Sequence, residues 1–155
     1  MKIIVGLALF FSLCGIGNAQ TQSSVKEFSG RLWEKSDVLS KTNTNVLQML
    51  GGAISVNDSS TGMLAYDSAA DLNANVIMLL VVTDIYTLMI DERDIKTLKK
   101  YFDRICRSSI EKSEVSVKNV NKALSSIQST ALVNEVTKLR DANNSILQTL
   151  EFCKN

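Results

Sequence analysis

Leu132, Val136, Leu139, Asn143, Ile146, Leu150 and Cys153 follow one another in alternating steps of four and three. Only a helix brings such positions to one side, and the average step of 3.5 residues is the seam of helices packed nearly parallel or antiparallel. No proline occurs anywhere in the chain and aromatic residues are few, so the usual punctuation of strand-and-turn proteins is missing. A second stripe runs through Val25, Phe28, Leu32, Leu39, Val46 and Leu50, with Trp33 beside it and expected to pack at its edge. The sequence predicts an all-α protein, an antiparallel bundle of about four helices.

Ahead of these stripes, "MKIIVGLALFFSLCGIGNAQ" sets one lysine before an apolar run from Ile3 to Ile16, then small residues at Gly17 and Ala19. That is the plan of a secretory signal peptide cleaved between Ala19 and Gln20. A retained membrane anchor is the other use of such a run. Cys14 makes a poor lipidation site, because Phe11 and Leu13 before it are bulky. The expected organisation is a signal peptide over residues 1–19 and one helical domain over residues 20–155, in a secreted or periplasmic protein. Loss of Lys2 with the signal takes the 17 basic residues to 16, against 16 acidic ones, so the mature chain carries no net charge. Nucleic-acid binding normally shows as a basic excess, and no polybasic block marks a membrane surface.

"GGAISVNDSSTG", residues 51–62, collects glycine, serine, asparagine and aspartate, all turn formers, and reads as the longest loop. The next helix is expected from about Met63 to Ile90. Its most apolar part, "VIMLLVV" at residues 76–82, invites three readings: a membrane span, a ligand pocket or a core. Thr83, Asp84 and Thr87 interrupt the run before the ~20 residues that a span requires. The β-branched residues would suit a buried strand, but the approach through "YDSAADLNAN" has no turn signal, so a central helix buried on most sides is favoured.

Asp91 can cap a following helix, with Glu92 and Asp94 near its positive end. Its stripe is read as Ile95, Leu98, Phe102 and Ile105, continuing through Val117, Val120, Leu124 and Ile127 to a polar break at "SSIQST", residues 125–130. After signal removal Cys106 and Cys153 are the two remaining cysteines. They are equidistant from a turn centred between Ser129 and Thr130, so an antiparallel hairpin would set them side by side. Export supplies the oxidising surroundings, and a Cys106–Cys153 disulfide clamping the C-terminal hairpin is predicted.

Function is approached by subtraction. The chain has no histidine, which removes Ser-His and Cys-His nucleophile systems and the common zinc and haem ligand sets. No Cys-x-x-Cys, P-loop or dinucleotide fingerprint is present. Catalytic, metal-binding and cofactor-binding residues are therefore all expected to be absent. The expectation is an exported, non-enzymatic helical interaction protein (an inhibitor, an immunity-type protein or an accessory subunit) that meets another exported protein through an exposed helix face or through Ser55, Asn57, Asp58, Ser59, Ser60 and Thr61 of the loop. The alternative is a carrier or sensor holding a small apolar ligand between helices. Asn57 and Asn143 both open N-glycosylation sequons, but Asn143 lies on the packing seam, which leaves Asn57 as the plausible acceptor.

Overall fold

Four helices in chain order build the bundle: α1 Lys2–Leu50, α2 Val56–Leu88, α3 Glu92–Leu124 and α4 Thr130–Thr149, the last running into a 3-10 turn at Leu150–Lys154. The computed structural model describes the backbone of residues 2–52, 55–88 and 92–154 and the side chains of residues 23–52, 55–88 and 94–154. The side chains of the expected signal peptide lie outside the described residues, as do Asp91 and the side chains of Glu92 and Arg93. Each helix packs on its neighbours in a ring, α1 against α2 and α4, and α3 against α2 and α4.

The periodicity that α4 announces in sequence runs through all four helices. On α1 the inward positions are Val25, Phe28, Leu32, Ser36, Leu39, Asn43, Val46 and Leu50. On α2 they are Asp58, Gly62, Ala65, Ala69, Leu72, Val76, Leu79, Thr83 and Tyr86. On α3 they are Cys106, Ser109, Ser113, Ser116, Val120 and Ala123. Steps of three and four hold nearly throughout, as expected where helices meet at shallow angles with knobs-into-holes packing. The core joins Phe28, Leu32 and Leu39 of α1 to Leu72, Val76 and Leu79 of α2 and to Leu132, Val136, Leu139 and Ile146 of α4, all fully buried.

Hydrogen bonds between small polar side chains link neighbouring helices. Ser36 Oγ donates to Asn73 Oδ1 at 3.0 Å across α1 and α2. Asn119 Nδ2 donates to Ser68 Oγ at 2.8 Å across α2 and α3. Asn143, the polar interruption of the α4 seam, is fully buried and donates to Ser116 Oγ of α3 at 2.8 Å. Such bonds discriminate between registers, because a one-turn slip would take these partners from Ser36, Ser116 and Asn143, which are buried.

Cys106 on α3 and Cys153 in the terminal 3-10 turn form the predicted disulfide, with their Cα atoms 5.6 Å apart. An aromatic cluster drawn from the whole ring sits beside it. Phe28 of α1 stacks on Phe152 with centroids 4.4 Å apart and meets Phe102 of α3 edge-on at 6.4 Å, while Tyr86 of α2 lies 6.1 Å from Phe102.

Four expectations need correction. The loop at residues 51–62 is far shorter, because α2 starts at Val56. Trp33 is 63% exposed instead of packed at the edge of its stripe. Of the stripe read on α3, Val120 and Ile127 are buried as expected, but Ile95, Leu98, Phe102, Ile105, Val117 and Leu124 are only half-buried; between Cys106 and Val120 the inner face passes through Ser109, Ser113 and Ser116 instead. And α2 is not buried on most sides. In a ring of four, a helix covers one face only, so Val76, Leu79 and Leu80 go inward while Ile77, Met78 and Val81 remain about half exposed.

Candidate interaction surface

The residues first considered for partner binding turn out to build the start of α2. Ser55 Oγ accepts the backbone N–H of Asp58 at 3.1 Å, an N-cap at the third helical position. The Asp58 side chain is buried and turns across the bundle, where it accepts the backbone N–H groups of Gln128 at 2.8 Å and Ser129 at 3.0 Å. Ser129 in turn caps α4, its hydroxyl accepting from Leu132 N. Asn57 is exposed on the first turn of α2, its Nδ2 3.5 Å from the Ser126 carbonyl, and Ser60 Oγ donates to the Asn57 carbonyl. Ser59 and Thr61 are partly exposed on the same helical turns. Ser55, Asp58 and Asn57 thus tie the start of α2 to the turn before α4, and the six residues belong to a helix start instead of a long loop. The spacing Ser55-x-x-Asp58 is a helix-start signal that composition alone disguises as a turn.

This arrangement gives a measurable expectation. Asp58→Ala removes both acceptor bonds to backbone donors, each charge-assisted, and should lower the unfolding free energy by about 2–3 kcal/mol. Asp58→Asn, which keeps one acceptor oxygen, should fall between that variant and wild type in urea unfolding. An unchanged midpoint for Asp58→Ala would remove the fastening role.

The surface that does stand open is the outer side of α2. Ile77, Met78, Val81, Ile85 and Leu88 are exposed, with Leu88 reaching 79%. Between Ala74 and Leu88 the one charged residue is Asp84, and its carboxylate accepts the Ser29 hydroxyl of α1 at 3.2 Å. Trp33 of α1 borders this surface: it and Ile77 line a cleft of about 170 Å³ together with Ser36, Asp37, Ser40 and Asn73. By length and composition alone α2 is apolar enough to cross a membrane, contrary to the expectation that Asp84 and its threonines cut the run short, and only 33% of its apolar window is buried in the bundle. On its flanks, however, the same helix makes polar contacts with both neighbours, Asn73 with Ser36 and Asp71 with Lys112.

Among the described residues, two further concavities between helices stand out. The larger, about 560 Å³, is a wide-open trough between α2 and α3 with Asp67, Asp71, Lys112 and Asn119 along it. The smaller, about 230 Å³, lies against the aromatic cluster and is lined by Val25, Tyr86, Phe102 and Phe152, with Lys99 and Asp103 also on its wall. The inward residues of the "VIMLLVV" stretch belong to the packed core. Among the described residues no three acidic or cysteine side chains gather into a metal-binding group. At the chain end, Lys154 is held above its ordinary pKa by its hydrogen bond to Glu151, an exposed pair. No family model, curated protein or solved structure matches the chain.

Proposed function

We propose that this is an exported, non-enzymatic helical protein that acts by protein–protein recognition through the outer face of α2. The observation that carries the reading is the exposed row Ile77, Met78, Val81, Ile85 and Leu88 with Trp33 at its border. Soluble proteins seldom leave so much contiguous apolar surface in water unless something covers it, and tryptophan and methionine are among the residues enriched at interfaces. Export is supported by the composition of residues 1–19 and by the disulfide, which belongs to oxidising compartments. An inhibitor, an immunity-type protein or an accessory subunit fits this description. A carrier of a small apolar ligand is less well supported, because the apolar cleft of about 230 Å³ is smaller than the ~300–1,000 Å³ of ordinary ligand sites.

The test is affinity capture from native extract with wild type and a Val81→Lys/Ile85→Lys variant as parallel baits, followed by mass spectrometry for proteins and lipids. A defined protein held by wild type and lost from the lysine variant is the expected outcome. Equal retention by both baits would count against α2 as the recognition face, and stoichiometric lipid on both would favour the carrier.

A further inference from the structure

The outward positions of α2 repeat the logic of its inner face. Ala74, Met78, Val81, Ile85 and Leu88 advance in steps of four, three, four and three, two residues behind the buried series Leu72, Val76, Leu79, Thr83 and Tyr86. Such spacing is what one helix offers to another helix; a bilayer or a small ligand requires no such register. The other three helices present charges at the equivalent outward positions. They are Glu27, Glu34 and Lys41 on α1, Glu111, Lys118 and Lys122 on α3, and Lys138 and Asp141 on α4, all exposed. A second, uncharged seam is therefore particular to α2 and not a general property of the bundle surface.

We infer that a second copy of this chain covers that seam, α2 lying antiparallel to α2 about a twofold axis. The inference rests on the outer face of α2 being the recognition surface and names what it recognises. An axis at the level of Thr83 sets Met78 of one copy against Leu88 of the other and Val81 against Ile85, so each large apolar residue meets another. Asp84, the one charged residue of α2 between Ala74 and Leu88, is turned off the seam toward Ser29. A twofold contact uses the same patch on both molecules, and a face that matches itself under that rotation needs no second binding surface. The five large side chains of the seam region and Trp33 leave on the order of 600 Å² exposed, the upper end of what a monomer shows as its largest patch. With a polar rim this approaches the roughly 800 Å² that each partner covers in a stable complex. The mature chain has no net charge, so no long-range repulsion keeps copies apart.

Residues 20–155 suffice for the experiment, since every described core residue lies between Val25 and Leu150 and the disulfide closes at Cys153. Sedimentation velocity over roughly 1–200 µM spans the weaker affinities open to an interface of this size, and wild type should convert from monomer to dimer within it. Trp33 is the single tryptophan, so its emission should shift to shorter wavelength as the dimer forms. Val81→Lys/Ile85→Lys should remain monomeric at every concentration, with the circular dichroism and melting temperature of the wild-type monomer, because both side chains lie outside the core. A wild type that stays monomeric throughout overturns the proposal, even where capture shows the same face holding a different protein; the recognition reading would then stand without the second copy. A dimer that survives the double substitution overturns it as well.

Discussion

Replacing both Cys106 and Cys153 by Ala is expected to lower the stability of the oxidised protein by about 4 kcal/mol, the chain-entropy value for a crosslink closing a loop of this length. The bond spans 47 residues of sequence and encloses α3 from Cys106 onward, the turn and α4, so breaking it returns a large conformational freedom to the unfolded chain. Alanine suits the test better than serine, since Cys106 is almost fully buried and a hydroxyl there would add a cost of its own. The folded state also loses the tether that holds the 3-10 turn against the bundle, where Phe152 stacks on Phe28. Denaturant unfolding of wild type with and without reductant, beside the double variant, measures the effect. Coincident midpoints for the oxidised protein and the variant would show that the crosslink contributes nothing to stability.

Leu79→Ala should cost about 2–5 kcal/mol, the range for removing a large side chain from a packed core. Its neighbour two positions on supplies the control: Val81→Ala should change stability by about 0.5 kcal/mol or less in the monomer, as surface substitutions do. Leu79 is fully buried and Val81 is 52% exposed, although both belong to one unbroken apolar run. The two variants thus distinguish a helix that is apolar because it is core from one apolar on two sides for different reasons. Similar losses from both, measured at concentrations where the protein is monomeric, would place Val81 inside and remove the exposed seam.

The helical class, the antiparallel hairpin and the disulfide were legible because α4 writes its seam in large apolar residues, and because symmetry about the turn set Cys106 opposite Cys153. On α3 the same seam is written with Ser109, Ser113 and Ser116, all fully buried, so a search for hydrophobic periodicity selected the flanking Phe102, Ile105 and Val117 and met the inner face only at Val120. Small side chains pack tightly at a helix crossing whatever their polarity, and the period of the series survives even when its hydrophobicity does not. The error at residues 51–62 has another cause. Serine, asparagine and aspartate favour turns and helix starts through the same local hydrogen bonds, and only the three-residue spacing from Ser55 to Asp58 separates the two. The exposed apolar face of α2 was hidden by the opposite assumption, that a run such as "VIMLLVV" must be buried. Its true signature is a second four-three series interleaved with the first, which becomes visible only once the inner face of α2 is assigned.

The crosslink also turns the end of the chain into a closed ring. Residues 106–153 form a covalent cycle, and the exposed turn at Ser125 and Ser126 lies within it. A protease that cuts there produces two termini but no separate fragment, since the piece carrying α4 stays attached through sulfur to the piece carrying α1, α2 and α3. In any setting where peptidases reach the folded protein, one cut in that turn would leave the outer face of α2 and its supporting helices in a single covalent unit.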